Sequence, residues 1–316
     1  MTKVVFMGTP EFAVPSLEAL AAGGYDIVGV FTQPDRPAGR GKKLTACPVK
    51  QRALSLGLPV YQFEKIRRPE GVAQLRELAP DVMVTAAFGQ ILTKEILDIP
   101  AHGTVNVHAS LLPGYRGPAP INWVIVNGEA ETGVTLMRTD EGIDTGDILR
   151  AVRTPIGLDE TAGELTERLS RLGAELLKEA LPEYLAGGIE PVPQDPALAS
   201  YQPMLKKEMG EVDWTLPAAA IANRVRGLNP WPCACTDMPG GRLKIYRALP
   251  VDGAGEPGVV LASGPKEGLI VACGEGALEI LELQAPGGKR MAAKAYLMGR
   301  KIDAGTRLGK VAEDEQ

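Results

Sequence analysis

The sequence is poor in the residues from which metal and redox centres are usually built. Two histidines and four cysteines occur among 316 residues, and aromatic residues make up 5% of the chain. Cys233 and Cys235 are separated by one residue instead of the two typical of zinc sites, and no histidine lies near them. We therefore expect no metal site and four reduced thiols.

Long apolar runs are also missing. No stretch approaches the roughly 18 unbroken apolar residues that a membrane span requires. Residues 1–8 have the pattern of a strand followed by a turn, without the apolar region and cleavage site of a signal peptide. The composition, 45% hydrophobic and 23% charged, is typical of a water-soluble globular protein, so we expect a cytoplasmic location.

A dinucleotide-binding motif is absent where the pattern of strands would place one. Gly8-Thr-Pro-Glu-Phe12 follows the first predicted strand but is not Gly-x-Gly-x-x-Gly. The second strand is followed by Phe31-Thr-Gln-Pro34, with no acidic residue to bind a ribose. An NAD site is therefore not expected.

The first half of the chain alternates short apolar strands with amphipathic helical segments. This alternation predicts an α/β fold with a Rossmann-like parallel sheet. The predicted strands are 4–7, 27–31, 60–61, 82–86, 104–108, 133–138 and 148–154, and the predicted helices are 12–22, 49–56, 70–78, 119–126 and 162–186.

The second half has a different pattern, with short apolar runs separated by glycine and proline. A helix ending at Gly227 precedes these runs, which suggest a small OB-like β-barrel with a final helix at 292–300. The domains predicted from this change are a catalytic domain at 1–189, a linker at 190–205 and a C-terminal domain at 206–316.

Positive charge is concentrated in two places although the whole chain has a net charge of −5. Residues 206–310 carry a net charge of +4, and residues 36–50 contain five cations and no acid. Basic runs are most often solvated loops. A basic loop together with a basic second domain would also suit a nucleic acid backbone.

Three polar residues are candidates for catalysis. Asn106 and His108 alternate with valines along a predicted strand and so share one face of it. Asp144 follows in Gly142-Ile-Asp144-Thr-Gly146. Each residue also has a structural explanation, because a histidine at a strand end is usually structural and Asp with Gly is typical of turns. Together they make a plausible acyl-transfer site.

The surrounding motifs resemble those of the folate-dependent formyltransferases. The matching residues are Asn106-Val-His108, Ser110-Leu-Leu-Pro113, Tyr115-Arg-Gly117 and the Asp144 segment. Further similar segments run from residue 4 to about residue 284, including Thr32–Lys43 and Asn229-Pro-Trp-Pro232, and are most similar to the members that formylate methionyl-tRNA.

This resemblance implies a reaction, a co-substrate and a set of contacts. The formyl group of 10-formyltetrahydrofolate would pass to the α-amino group of initiator methionyl-tRNA by direct amine attack. Asn106 and His108 would stabilise the oxyanion and Asp144 would orient His108. The implied folate contacts are Phe88, Gly89, Ile91, Leu92, Ser110, Leu111, Leu112 and Pro113. The implied tRNA contacts are Arg36, Arg40, Lys42 and Lys43, with Arg40 at the position that enters the acceptor-stem groove.

Three other functions fit parts of the same pattern. A formyltransferase for a small amine such as an amino sugar, or a formyl-folate hydrolase, could use the same three residues, but should lack the basic loop in this form. A non-catalytic tRNA-binding protein would have no use for Asn106, His108 and Asp144. We expect a monomer.

Overall fold

The computed structural model describes residues 1–38 and 43–309, which form two compact units. The first unit contains Met1–Pro120, Glu131–Pro155 and Thr166–Gln202. The second contains Ile121–Ala130, Ile156–Leu165 and the chain from Pro203 onward. Each unit is therefore assembled from separate stretches of sequence, and the contiguous boundaries predicted above stay a prediction.

The first unit is built on a large mixed sheet. Its strands, together with those of a small hairpin, are β1 (Lys3–Gly8), β2 (Asp26–Thr32), β3 (Arg36–Ala38), β4 (Lys43–Thr45), β5 (Val60–Gln62), β6 (Val82–Ala86), β7 (Thr104–His108), β8 (Glu131–Arg138) and β9 (Ile148–Pro155). Within the described residues the sheet has the order β5-β2-β1-β6-β7-β8-β9. The strands from β5 to β7 run parallel, and β8 and β9 are each antiparallel to the preceding strand.

Helices connect these strands. They are α1 (Val14–Ala22), α2 (Pro48–Ser55), α3 (Pro69–Leu78), α4 (Lys94–Leu97), α5 (Pro120–Val126) and α6 (Ala162–Leu185). The central strands β1 and β6 are buried almost throughout, as expected for parallel strands covered on both faces. A Cβ at Gly173 of α6 would lie 2.8 Å from Val107 Cγ1, so glycine is what lets this helix approach β7 closely.

The second unit contains an antiparallel sheet. Its strands are β10 (Ala234–Met238), β11 (Gly241–Val251), β12 (Val260–Gly264), β13 (Gly268–Ala272), β14 (Ala277–Gln284) and β15 (Met291–Ala292), and its later helices are α7 (Ala218–Gly227) and α8 (Ala293–Gly299). The order is β10-β11-β14-β13-β12, with β15 paired to β14. Leu243, Ile245, Leu269 and Leu278 lie in its hydrophobic core.

The predicted fold class, a Rossmann-like parallel-sheet domain followed by a small OB-like β-barrel domain, is confirmed: the strands from β5 to β7 run parallel, and those of the second unit pair antiparallel. The sequence pattern missed α4, the hairpin β3–β4 and the strands β10 and β15. Among the described residues, no helix is long and apolar enough to cross a membrane.

Candidate active site

The candidate site lies where β7 ends. Val105 and Val107 are buried on one face of this strand, whereas Asn106 and His108 lie on the other face. Asn106 is partly buried, and His108 is 7% exposed. The predicted alternation therefore holds, and it brings an amide and an imidazole together at the carboxyl end of a parallel strand, the usual ligand position in such sheets.

The side chain of Asn106 is oriented by the neighbouring strand. Thr85 is paired with Asn106 across β6 and β7, and its hydroxyl donates a hydrogen bond of 2.8 Å to Asn106 Oδ1. Because the carbonyl oxygen accepts this bond, the amide nitrogen remains a donor. Thr85 was not among the residues singled out in the sequence, since a threonine in an apolar strand gives no signal of such a role.

Both ring nitrogens of His108 face oxygen acceptors. Nε2 donates to the backbone carbonyl of Tyr115 at 3.0 Å, and Nδ1 lies 3.6 Å from Asp144 Oδ1, beyond hydrogen-bond distance. The ring therefore has a hydrogen-bond acceptor at Nε2, the Tyr115 carbonyl, and a carboxylate facing Nδ1, that of Asp144. Among the described residues of this pair, the amide nitrogen of Asn106 is a donor available to a substrate oxygen, whereas Nε2 of His108 is engaged by Tyr115.

Asp144 is fixed in the loop between β8 and β9. Its Oδ2 accepts a hydrogen bond of 2.8 Å from the backbone N–H of Gly117 while Oδ1 faces His108. Its φ of 54° lies in the left-handed region that Asp tolerates better than most residues. A Cβ at Gly146 would lie 1.8 Å from the carbonyl oxygen of Arg138, so glycine there is needed to close the loop.

A residue from the segment predicted as a linker holds the two loops of the site. Gln194 Nε2 donates to the carbonyls of Asp144 (2.9 Å) and Gly146 (2.7 Å). Its Oε1 accepts from Arg116 Nε at 3.0 Å and Arg116 Nη2 at 2.7 Å. Gln194 thus joins the Asp144 loop to the loop after β7. Its Gly/Pro-rich surroundings carry no periodic pattern that could have identified it.

Hydrogen bonds from buried side chains hold the segment Ser110-Leu-Leu-Pro113 in place. Ser110 is fully buried and its hydroxyl donates to the Gly114 carbonyl at 2.8 Å. Thr135 Oγ1 donates to the Ser110 carbonyl and accepts from the backbone N–H of Leu112. Leu112 is also buried, whereas Leu111 and Pro113 are partly exposed. The exposed surface of this segment is therefore supplied mainly by Leu111 and Pro113.

The loop after β6 contains four of the residues predicted to contact folate, and they differ in exposure. Phe88 is buried in a core cluster against which Leu92 packs. Gly89 is exposed and has a φ of 77°, and Ile91 is 67% exposed. An exposed large apolar side chain such as that of Ile91 is a suitable surface for a ring system.

The basic loop is described in part. Arg36 and Lys43 lie in the hairpin formed by β3 and β4 and are exposed. Arg36 Nη2 lies 2.7 Å from Glu64 Oε2. Arg40 and Lys42 lie outside the described residues. In the part of the chain that the structure describes, no group of three histidine, cysteine or acidic residues is arranged to hold a metal ion.

Two family models match the chain. The model described as "Formyl transferase" matches residues 2–181, and "Formyl transferase, C-terminal domain" matches residues 204–301. The class of protein defined by this fold is therefore that of the formyl transferases.

Similarity to curated relatives shows to which family of formyl transferases the chain belongs. The chain is 53% identical over 306 residues to the methionyl-tRNA formyltransferase of Trichlorobacter lovleyi, covering 97% of this chain and 96% of the relative. It is 50% identical over 313 residues to that of Geobacter sulfurreducens, covering 99% and 98%. The chain belongs to the methionyl-tRNA formyltransferase family.

Solved structures share the fold at low identity. A Helicobacter canadensis N-formyltransferase, solved with folinic acid and dTDP-3-aminofucose, is 20% identical, with a TM-score of 0.67 and coverage of 92% of this chain and 100% of that one. HypX from Aquifex aeolicus, solved with tetrahydrofolic acid, is 19% identical, with a TM-score of 0.61 and coverage of 95% and 50%. At these identities the likeness concerns the fold.

Proposed function

We propose that this protein transfers the formyl group of 10-formyltetrahydrofolate to the α-amino group of initiator methionyl-tRNA. The observation that carries the proposal is the arrangement at the end of β7. There Thr85 orients the Asn106 amide as a donor, and His108 is paired with a carboxylate that is itself held by Gly117. A fixed amide donor beside an imidazole–carboxylate pair suits acyl transfer to an amine.

The reaction begins with attack of the amine on the formyl carbon. A free α-amino group titrates near pH 8, roughly, so part of it is already neutral and nucleophilic at neutral pH. The formyl oxygen gains negative charge as the new C–N bond forms, and the Asn106 amide donates to it. A preorganised donor of this kind contributes roughly 3–4 kcal/mol in acyl transfer.

The second half of the reaction breaks the bond between the formyl carbon and N10 of the folate. The amine loses one proton and N10 gains one, so the transfer is balanced without an external acid or base. His108 and Asp144 form an imidazole–carboxylate pair at the site, and Asp144, His108 or a water relays this proton. No covalent enzyme intermediate is needed, which agrees with the burial of Ser110, whose hydroxyl donates to Gly114.

Folate is proposed to bind between the loop after β6 and the segment 110–113. Ile91 supplies an exposed apolar side chain, and Leu111 and Pro113 are partly exposed on the other segment. Phe88, Leu92, Ser110 and Leu112 support these segments from the interior, so their contribution to binding comes through the shape of the backbone. Gly89 is exposed and lets the chain approach a planar ligand closely.

The acceptor is proposed to be bound by the basic loop and the basic C-terminal region. Arg36 and Lys43 are exposed on the hairpin, and Arg40 and Lys42 extend the same run of cations in the sequence. Residues 206–310 add a net charge of +4. Cations on an extended loop can follow a phosphate backbone, which a small amine substrate would not require.

The direct test is an assay with 10-formyltetrahydrofolate and initiator methionyl-tRNA, followed by hydrolysis and detection of formyl-methionine. We expect formylated tRNA, and no product from an Asn106→Ala variant that still binds tRNA. Formylation of free amino sugars instead of tRNA, or release of formate with water as the acceptor, would refute the assignment and identify one of the two alternative reactions.

A second test concerns the tRNA surface. Lys43→Gln should raise the KM for tRNA several-fold, and removal of one phosphate contact should reduce the slope of log K against log salt concentration by about 0.9. Arg153→Gln is a suitable control. Arg153 is an exposed cation on β9, at one edge of the sheet, whereas the loop that contains Lys43 lies in the chain between β2 and β5, the two strands at the other edge. Equal salt slopes for both variants would exclude Lys43 from the tRNA contact.

We further propose that the protein acts in the cytoplasm as a monomer, with a catalytic domain at 1–189, a linker at 190–205 and a tRNA-binding domain at 206–316. Light scattering on the purified protein measures the oligomeric state directly. A mass of twice the 33.5 kDa of the chain would refute the monomer.

A further inference from the structure

The bend at the start of the proposed folate loop is held by hydrogen bonds from two side chains, Gln33 and Thr9. Ala87 and Gly89 both have left-handed backbone conformations, with φ of 45° and 77°. Gln33 Nε2 donates to the carbonyls on both sides of this bend, Phe88 O at 3.2 Å and Gly89 O at 3.0 Å. Gln33 is half-buried, and its bond to the Phe88 carbonyl is partly shielded from water.

Thr9 completes the attachment of Gln33 to the bend. Its hydroxyl donates to the Phe88 carbonyl at 3.2 Å and accepts from the backbone N–H of Gln33, also at 3.2 Å. Gln33 is therefore fixed at its backbone and at its side chain. Two carbonyl oxygens face the end of the Gln33 side chain, and an amide, which has two N–H donors, suits this position.

Gln62 connects Gln33 to the base of the basic loop. Its Nε2 donates to the Gln33 carbonyl at 2.7 Å and to Asp35 Oδ1 at 2.9 Å. Its Oε1 accepts from Lys50 Nζ at 2.8 Å. The pairing of β2 with β5 sets Thr32 opposite Gln62, which places the amide beside the residues that follow β2.

Asp35 and Lys50 stand at the two ends of the basic loop. Lys50 Nζ lies 2.7 Å from Asp35 Oδ2, and both side chains are partly exposed, with exposures of 21% and 30%. The hydrogen bonds from Lys50 and Gln62 hold the pKa of Asp35 below its usual value, so this carboxyl group is ionised at neutral pH. The loop is thus closed at its base by the same group of residues that holds the bend.

We infer that Gln33 and Gln62 are positioning residues for the transfer reaction: together they fix the bend at 87–89 on the closed base of the loop at 34–49. The inference rests on the proposed function for the identity of the two ligands. It assigns a role to two glutamines that act through the backbone of the bend and through the ends of the loop. Gln33 sets the shape of the folate-binding backbone, and Gln62 holds Gln33 and the loop ends in one arrangement.

The test for Gln33 compares two replacements of similar size. In Gln33→Glu a carboxylate faces two carbonyl oxygens, whereas Gln33→Met only removes the donors. In the Met variant the Phe88 carbonyl keeps the hydroxyl of Thr9 as a donor, and the Gly89 carbonyl loses its bond from Gln33. One lost hydrogen bond corresponds to about a tenfold loss, so we expect tetrahydrofolate to bind about tenfold more weakly to the Met variant. Binding to the Glu variant should be weaker still, because its carboxylate repels both carbonyl oxygens. The KM for formyl-folate should rise in the same order while kcat at saturation changes less than threefold, roughly.

The matched controls are Gln74→Glu and Gln74→Met. Gln74 lies on α3, and its side chain bonds only to Glu77 within the described residues. These variants should bind tetrahydrofolate as the unchanged protein does. Binding is measured by titration calorimetry, with thermal unfolding as a check on folding. Unchanged binding in both Gln33 variants would overturn the inference.

Gln62 is tested by its effect on both ligands. In Gln62→Glu the new carboxylate faces Asp35 and the Gln33 carbonyl, so we expect weaker binding of tetrahydrofolate and of tRNA, each by several-fold. A loss confined to tRNA would overturn the connection to Gln33. If the unchanged protein binds tetrahydrofolate but does not formylate methionyl-tRNA, the proposed function fails, and the calorimetric result still decides the role of Gln33.

Discussion

The hydroxyl of Thr85 donates a hydrogen bond to Oδ1 of Asn106, and this bond determines which end of the amide faces the site. Thr85 is 6% exposed, so water offers little competition for the bond.

Thr85→Val should remove the hydrogen bond that orients the Asn106 amide while preserving the shape of the side chain at position 85. The Asn106 amide can then rotate and present its oxygen to the developing oxyanion, so we expect kcat to fall about tenfold. Thr85→Ser keeps the donor and should retain most of the activity. Steady-state kinetics of the two variants provide the measurement, and equal kcat values for Val and Ser would contradict the assigned orientation.

Asp144→Asn should reduce kcat more strongly. An asparagine can still accept from the Gly117 N–H but carries no charge to pair with the imidazole of His108. General acid–base groups contribute roughly 10²–10⁴-fold, and we expect a loss within that range. The Kd for tRNA, measured by filter binding, should stay unchanged. A variant that retains full kcat would exclude Asp144 from the chemistry.

Ser110→Ala should affect stability more than folate binding. The hydroxyl is fully buried and donates to the Gly114 carbonyl, which loses its partner in the variant. The expected decrease in the free energy of unfolding is about 1–2 kcal/mol, measured by urea titration. Tetrahydrofolate affinity should change less than threefold, roughly. A large loss of affinity with unchanged stability would instead indicate direct contact between this hydroxyl and folate.

Glu164 should make the stability of the second unit depend on pH. Hydrogen bonds from the N–H and hydroxyl of Thr161, with Arg247 nearby, lower its pKa. A lowered folded pKa gives a contribution that is present above the unfolded pKa of about 4.3 and is lost as the pH falls through the folded value.

Glu164→Gln should therefore flatten the curve of unfolding free energy against pH between about pH 5 and 3. The effect should stay below about 1 kcal/mol, because half of the side chain is exposed and solvent screens the charge. Chemical denaturation across this range is the measurement. A curve parallel to that of the unchanged protein would contradict the assignment.

The four thiols should differ in reactivity. Burial raises the pKa of Cys273 to about 11 and raises that of Cys233 as well, and Cys235 is also buried. Cys47 is only half-buried. In the folded protein an aromatic disulfide reagent at about pH 8 should modify Cys47 alone, because the thiolate is the reactive form. After unfolding all four should react. Fast modification of a second thiol in the folded state would contradict this ranking.

The main elements of the fold could be predicted because their patterns are long and regular. The strands at 82–86 and 104–108 match β6 and β7, where an apolar run ends in a turn. Strand β10 was missed because polar and small residues occupy it, and its pairing with β11 is what specifies it. The hairpin β3–β4 was missed because its strands are three residues long and contain a proline.

The candidate site could be predicted only in part. Asn106 and His108 follow from strand alternation, and Asp144 from its glycine-flanked turn. The residues that hold them, Thr85 and Gln194, are distant in sequence and belong to types found at any position. Their roles depend on tertiary hydrogen bonds, which no local pattern encodes. The same reason applies to Gln33 and Gln62.

The second unit is assembled from segments that lie far apart in the sequence, and this has a consequence for its synthesis on the ribosome. Asn122 donates a hydrogen bond of 2.7 Å to the Gly227 carbonyl, a partner made 105 residues later. At about 5–20 residues per second, the segment Ile121–Ala130 waits about 5–20 s for that partner, and Val124 and Ile125, buried in the finished protein, remain without their final surroundings. We therefore expect that chaperones can bind this apolar segment of the nascent chain during the waiting time. The choice of synonymous codons between the two segments should change how long that time is.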